Sequence, residues 1–159
     1  MKQAYSVLMS VYQKENPEYL RAAVESVLGQ TVPPEEVVLV CDGPLTETLD
    51  GVIAEYVRQE IAFRVVRLPE NGGLGKALNE GLKYCSCEWI ARMDTDDLSA
   101  PDRCEKQLKF LEKHPEVDAL SGTIAEFQGD ALDGKTAETA VISYKTVPET
   151  QKEIAAYIK

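Results

Sequence analysis

The chain has little of what several functional classes require. Its one histidine, His114, has no Ser or Cys nucleophile beside it, which argues against a hydrolytic triad. Its 17 basic residues are outnumbered by 27 acidic ones, so the net charge is −10 and the chain is not expected to bind nucleic acid. Its four cysteines match no zinc spacing and indicate no disulfide framework.

Long hydrophobic runs are also missing. The longest apolar stretches, such as residues 37–41, fall far short of the ~20 residues that a membrane-spanning helix needs. Residues 1–10 lack the basic start and the apolar run of a signal peptide. We therefore expect a cytoplasmic protein, or one that lies peripherally at the inner face of the membrane.

What the sequence does contain is a repeated alternation of short apolar runs and amphipathic helices. Its 159 residues, of which 44% are hydrophobic, fit one globular domain. A helix with one apolar face follows each predicted strand, and the strands are residues 4–12, 36–41, 62–68 and 88–93. Four successive β–α units predict a three-layer α/β/α sandwich around a mostly parallel sheet.

The last part of the chain has a weaker pattern. We predict a fifth strand at 117–121, a loop or hairpin tip at 126–138, a further strand at 140–145 and a helix at 150–159. Since that helix has little to pack against, we expect the fold to be truncated at its C-terminus. Uncovered apolar surface would then favour a homodimer.

Acidic and amide side chains follow the predicted strands, at the edge where open α/β sheets bind ligands. The set comprises Glu15, Asp42 and Asn71 after the first three strands, and Asp94, Asp96 and Asp97 after the fourth. Clustered carboxylates need bases or a cation to neutralise them, and Mg²⁺ and Mn²⁺ prefer carboxylate oxygen. The sequence predicts a metal- or nucleotide-binding site here; the alternative is an Asp-rich turn that caps the next helix.

A glycine-rich stretch with one lysine, residues 71–76, opens the third helix. It is not a Walker loop, because Ala77 stands where Ser or Thr is needed. It is not a dinucleotide fingerprint either, because Leu78 stands where Gly or Ala is needed. Two interpretations remain open: a helix start that binds an anion through backbone N–H groups, or a flexible loop.

Taken together, these segments resemble the family 2 glycosyltransferases of the GT-A fold, a group of bacterial inverting enzymes. The resemblance extends over about residues 4–122 and is carried by SVLMSVYQKENPEYLRAAVESVLGQT, EEVVLVCDG, ENGGLGKALNEGL and WIARMDTDDLSAPDRCEKQLKFLEKHPEVDALSG. It implies that residues 1–159 form a single nucleotide-sugar-binding domain, incomplete on its acceptor side. It further implies a Mn²⁺ or Mg²⁺ cofactor and a saccharide or lipid-linked saccharide acceptor in polysaccharide synthesis.

The resemblance also implies roles for individual residues. Glu15 and its neighbours would border the base and ribose, Asp42 would hydrogen-bond uracil, and Lys76 would approach the nucleotide from the glycine-rich turn. In the Asp-x-Asp signature, Asp96 is the favoured metal ligand and Asp97 the next. The implied nucleotide-sugar-binding residues are Val11, Tyr12, Glu15, Asp42, Asn71, Lys76, Asp94, Thr95 and Asp96.

The chain departs from the family pattern at two points. After the second strand, residues 41–44 (CDGP) supply one carboxylate and no hydroxyl, where the family usually has an acidic pair and then Gly-Ser. The catalytic base of the inverting reaction lies later in the family, and no residue before Lys159 matches it.

Three other functions are weighed against this resemblance. A haloacid-dehalogenase-like phosphatase would carry its Asp-x-Asp motif after the first strand, not the fourth. A sugar-nucleotide pyrophosphorylase would have a glycine- and arginine-rich loop where this chain has QKENPEY. A non-catalytic nucleotide-binding module stays open, because binding without turnover leaves the same sequence pattern.

Overall fold

The helices and strands follow the predicted order closely. The computed structural model describes residues 4–59, 62–127 and 141–150, together with Lys152, Glu153 and Ala156. The elements are β1 Tyr5–Val11, α1 Pro17–Leu28, β2 Glu36–Cys41, α2 Glu47–Val57, β3 Phe63–Arg67, α3 Leu74–Leu82, β4 Trp89–Arg92, α4 Arg103–Lys113, β5 Ile124–Phe127 and β6 Val141–Lys145.

The four strands β1 to β4 form one parallel sheet in the order β3-β2-β1-β4. Side chains alternate between the two faces along each strand, so neighbouring residues belong to different cores. Val7 and Met9 of β1 pack with residues of α1 and α2, whereas Leu8 packs with Ala77 of α3. Helices therefore cover both faces, which confirms the three-layer α/β/α prediction.

Side-chain caps fix where the first two helices begin. The Asn16 side chain accepts a hydrogen bond from the Glu18 N–H (2.9 Å), and Pro17 occupies the first turn of α1. The Thr46 hydroxyl accepts from the Leu49 N–H (3.3 Å) and caps α2. Each cap gives a hydrogen-bond acceptor to a backbone N–H in the first turn, where the helix itself supplies none.

The chain divides into two compact units, residues 1–109 and 110–159. The first unit contains the parallel sheet. In the second, β5 and β6 pair antiparallel, with an irregular register at Glu126/Phe127. This pairing confirms a strand within 140–145. The proposal of a single domain over 1–159 stays a prediction.

The predicted strand over 117–121 is wrong. The Val117 N–H donates to the His114 carbonyl (3.1 Å) in a turn after α4, and Leu120 is 37% exposed. A short apolar run forms a strand only where a neighbouring strand pairs with it, and none of the described residues does so here. Residues 126 and 127 of the predicted loop belong to β5. Residues 128–138 lie outside the described residues, as does most of the predicted helix at 150–159.

No helix in the described part of the chain has the length and apolar character needed to cross a membrane.

Candidate functional site

β1 connects two groups of polar residues at the carboxyl end of the sheet. The chain runs from β1 outward to β3 and then returns to place β4 on the other side of β1. Ligands of open α/β sheets bind at such a reversal of strand order. On one side the Asp42 N–H donates to the Val11 carbonyl (2.8 Å). On the other, the Thr95 hydroxyl lies 3.3 Å from the Ser10 carbonyl.

The first group is the Asp42 turn, which we define as residues 42–43 and 71–73. Asp42 is only 4% exposed, and its two carboxylate oxygens accept hydrogen bonds from the N–H groups of Gly72 (2.8 Å) and Gly73 (2.9 Å). The Asn71 side-chain amide donates to the Asp42 carbonyl (3.2 Å). The backbone N–H groups at the glycine-rich start of α3 therefore bind an anion that the chain itself supplies, the carboxylate of Asp42.

Glycine is required where the two segments of this turn meet. Gly43 has a φ of 87°, and a Cβ atom there would lie 2.7 Å from the Asn71 backbone nitrogen. A Cβ atom on Gly72 would lie 3.1 Å from Lys76 Cδ, so the stem of Lys76 runs alongside the turn. The Lys76 side chain is exposed. The turn thus brings Asn71, which the sequence placed at the same sheet edge as Asp42, and Lys76, which the family resemblance added, close to Asp42.

The second group begins where Glu15 meets Thr95. The Thr95 hydroxyl donates to Glu15 Oε2 (2.7 Å), and the other Glu15 oxygen accepts from the Asn16 N–H (2.8 Å). The Glu15 N–H in turn donates to the Tyr12 carbonyl (3.0 Å), while the Tyr12 side chain is 44% exposed. Val11 is buried. Glu15 therefore ties the loop after β1 to the loop after β4.

The second group continues through the acidic loop, which we define as residues 93–99. Arg92 forms an ion pair with Asp94. Asp96 and Asp97 are both exposed, and no ion pair between described residues includes either of them. The pKa of Asp97 is raised, first by partial loss of solvation and then by the negative charges of Asp96 and Asp94. One acid of the cluster is neutralised by a base, and two are not.

The charge and chemistry of Asp96 and Asp97 fit a divalent cation. Adjacent carboxylates repel each other, and a cation that binds between them removes that repulsion. Within the described residues, no three Asp, Glu, His or Cys side chains stand close enough to form a complete metal site. The chain would thus supply one or two ligands and leave the others to substrate phosphate and water, which is the usual way in which Mg²⁺ is held.

Two structural features around the acidic loop were not predicted from the sequence. Arg92 lies two residues before Asp94, and a basic residue so close to an acidic cluster could have indicated an ion pair. Gln30 is 6% exposed and bonds to residues 99 and 100 at the far end of the acidic loop. In the sequence, Gln30 belongs to the segment SVLGQT, which contributed only to the family resemblance.

Comparison with known proteins identifies the family of the chain. The sequence matches the family described as glycosyl transferase family 2 over residues 6–157. It is 46% identical over 153 residues to an uncharacterised glycosyltransferase of Haemophilus influenzae, covering 96% of this chain and 54% of that protein. It is 38% identical over 124 residues to the UDP-Gal:alpha-D-GlcNAc-diphosphoundecaprenol beta-1,3-galactosyltransferase of Escherichia coli, covering 78% of this chain and 45% of that one.

The fold is also similar to that of a solved structure. The crystal structure of S. aureus TarS 1–349 in complex with UDP-GlcNAc superimposes with a TM-score of 0.61 at 30% identity, over 71% of this chain and 32% of that one. The chain spans about half the length of the two relatives named above. These matches decide against the phosphatase and the pyrophosphorylase. The chain belongs to glycosyl transferase family 2 and has the GT-A fold.

Proposed function

We propose that this chain binds the donor in a metal-dependent, inverting glycosyltransferase. The donor would be a nucleotide-diphosphate sugar, with a UDP-sugar favoured, and the acceptor a saccharide or lipid-linked saccharide in polysaccharide synthesis. The observation that carries the proposal is the pair Asp96 and Asp97, exposed and unneutralised beside the ion pair of Arg92 and Asp94. Free carboxylates at a reversal of strand order are suited to a cation that carries a diphosphate.

Asp96, with Asp97 next to it, would hold Mn²⁺ or Mg²⁺. When bound, such a cation neutralises the negative charge that develops on the leaving diphosphate. Thr95 and Glu15 join the acidic loop to the loop after β1 through their 2.7 Å hydrogen bond, which restrains the backbone next to the two carboxylates. Lys76, whose side chain is exposed beside the Asp42 turn, would supply a positive charge near the nucleotide. The general base that deprotonates the acceptor is not assigned to any residue of this chain.

Two facts support UDP as the nucleotide. The relative in Escherichia coli is named for UDP-Gal, and the similar structure of TarS contains UDP-GlcNAc. In this chain, an ionised carboxylate offers about four acceptor sites, of which Gly72 and Gly73 use two at Asp42. Asp42 therefore keeps capacity to accept the imide N–H of a uracil.

The same comparison supports a proposal for the acceptor and for the cellular location. The Escherichia coli relative is named for a diphosphoundecaprenol-linked acceptor. All four cysteines of this chain are free thiols, as a reducing compartment allows. We place the reaction in the cytoplasm, at the inner face of the membrane where a lipid-linked acceptor is used. A homodimer stays a prediction.

The decisive experiment replaces Asp96 with Asn, which keeps the size of the side chain and removes its charge. Affinity for UDP in the presence of Mn²⁺ should fall at least ~10-fold, about 1.4 kcal/mol, in isothermal titration calorimetry. Asp97→Asn should have the next largest effect. Asp94→Asn should have the smallest, because Asp94 already has Arg92 as its partner. Equal affinities for the wild type and Asp96→Asn would overturn the metal assignment.

The role of Asp42 in reading the base needs its own test. Asp42→Ala should reduce the preference for UDP over ADP more than it reduces binding of pyrophosphate with Mn²⁺. Pyrophosphate serves as the control, because it has no base to read. An unchanged UDP/ADP ratio would mean that Asp42 only holds the glycine-rich turn.

A further inference from the structure

A buried amide fastens the far end of the acidic loop to the end of α1. Gln30 is 6% exposed. Its side-chain nitrogen lies within hydrogen-bonding distance of the Ala100 carbonyl (2.8 Å), the Ser26 carbonyl (3.1 Å) and the Ser99 hydroxyl (3.2 Å). Its side-chain oxygen accepts from the Cys104 N–H (3.0 Å). The nitrogen and the oxygen of this side chain thus join the end of α1 to Ala100 and to Cys104, the latter in the first turn of α4.

Two residues near Gln30, Ser26 in the last turn of α1 and Thr31 just after the helix, add contacts to the same segment. The Ser26 hydroxyl accepts from the Ser99 N–H (3.0 Å). The Thr31 N–H donates to the Pro101 carbonyl, and its hydroxyl to Glu105, both at 2.8 Å. We call Ser26, Gln30 and Thr31 the α1 clamp. It holds the backbone at three consecutive residues, 99 to 101.

The acidic loop is therefore anchored at both ends. At its start the Met93 N–H donates to the Leu8 carbonyl (3.1 Å), and Thr95 bonds to Glu15. At its end the α1 clamp holds Ser99. Between the two anchors lie the exposed carboxylates of Asp96 and Asp97.

We propose that Gln30 is a positioning residue for Asp96 and Asp97, which it places through the backbone of residues 99–101. The proposal rests on the function proposed above and names a residue that acts on the metal and diphosphate without touching them. Binding groups must be held within ~0.5 Å of their productive positions, and a displacement of about 1 Å can reduce rate or affinity by ~100-fold. An apolar side chain would fill the same space but would fix neither the direction nor the register of the loop.

A matched control lies at the opposite end of the sheet. Ser6 is fully buried, donates to Glu36 (2.7 Å) and accepts from the Cys87 N–H (3.2 Å). Ser6→Ala removes buried hydrogen bonds far from the acidic loop, so it reports the cost of general destabilisation. Gln30→Met keeps the approximate size of the side chain and removes its hydrogen bonds. Gln30→Glu keeps an acceptor for Cys104 but turns a carboxylate oxygen toward two carbonyls.

The experiment measures two properties of each variant of the full chain. Hydrogen–deuterium exchange at residues 95–101 reports whether the loop is held. Calorimetric affinity for UDP, with Mn²⁺ and with EDTA, reports whether the carboxylates are placed. In Gln30→Met and Gln30→Glu we expect exchange at 95–101 to rise at least tenfold and UDP affinity with Mn²⁺ to fall about tenfold. UDP affinity in EDTA should change less than twofold, and Ser6→Ala should change neither loop exchange nor affinity.

Each other outcome counts against a specific step. Unchanged exchange at 95–101 in Gln30→Met overturns the role of Gln30 in holding the loop. Faster exchange with unchanged affinity for UDP and Mn²⁺ means that the clamp is purely structural, and it also overturns the proposal. A similar loss of affinity in Ser6→Ala would assign the effect to lower stability. If the wild type binds no UDP with Mn²⁺, the proposed function fails, while the exchange data still decide whether Gln30 holds the loop.

Discussion

The Asp42 turn and the acidic loop lie on opposite sides of β1, and they treat their carboxylates in opposite ways. Asp42 is 4% exposed, and two backbone N–H groups hold its oxygens. Asp96 and Asp97 are exposed, and the nearest bases are engaged elsewhere: Arg92 with Asp94, and Arg103 with the Arg92 carbonyl (3.1 Å).

The difference shows that the number of acids at a sheet edge does not give the number of metal ligands. A buried carboxylate with two N–H donors is already stabilised and has no need of a cation. Neighbouring exposed carboxylates repel each other until a cation or base binds. Only the second arrangement indicates a metal.

The largest expected effect concerns Asp42. Asp42→Ala leaves the N–H groups of Gly72 and Gly73 without acceptors, and it should lower the free energy of unfolding by about 3 kcal/mol in urea titration. Asp96→Ala is the matched control and should change stability by less than about 0.5 kcal/mol. If the two variants lost the same stability, the contrast between the two regions would not hold.

A second buried carboxylate allows a test by pH. Burial raises the pKa of Glu36, but hydrogen bonds from the Ser86 backbone and from the hydroxyls of Ser6 and Ser86 outweigh it, so the net pKa is lowered. The resulting stability is present above the ordinary glutamate pKa of about 4.3 and is lost as pH falls through the lowered value. Glu36→Gln should therefore be less stable than the wild type by about 1 kcal/mol at pH 7, and this difference should shrink as the pH falls below the ordinary glutamate pKa.

Glu35→Gln provides the control for this pH series, because Glu35 is adjacent in sequence and exposed. It should show no comparable pH-dependent difference from the wild type in thermal unfolding. A difference for Glu36→Gln that stays constant from pH 7 to pH 3 would contradict the assignment of its stability to the ionised carboxylate.

The smallest expected effect concerns Arg92. Arg92→Gln removes the partner of Asp94 and leaves a third negative charge in the acidic loop, so affinity for Mn²⁺ alone should rise about threefold. Electron paramagnetic resonance of free Mn²⁺ measures this directly. Arg58→Gln, at the end of α2, removes the same charge elsewhere and should leave the affinity unchanged. A lower affinity in Arg92→Gln would show that Arg92 supports the metal site.

Most of the parallel sheet was predictable because its strands are short apolar runs bounded by turn residues. β2 has the predicted bounds, Glu36–Cys41, and a helix follows each of the four predicted strands. The prediction of a strand at 117–121 was wrong because apolar character does not reveal whether a partner strand exists. β5 was not predicted because, although it has a partner strand, it lacks the apolar pattern of a buried strand. Its first residue, Ile124, is 54% exposed.

The sequence also identified the edge at which polar residues gather, but not how they are paired. Asp42 and Gly72 are separated by 30 positions, and Gln30 and Ala100 by 70. Only the packing of α3 and α1 on the sheet brings these groups together. Pairing of Arg92 with Asp94 depends likewise on the direction in which the chain leaves β4.

The order of the strands also sets the order in which the site assembles during folding. β1 pairs Ser6 with Glu36 on one side, but Tyr5 with Trp89 on the other, which requires a much longer loop to close. We therefore expect β1, β2 and β3 to form first and β4 to join afterwards, bringing the acidic loop with it. The same four-residue strand, Trp89–Arg92, would open earliest in local unfolding, and a donor bound at the acidic loop would hold it closed.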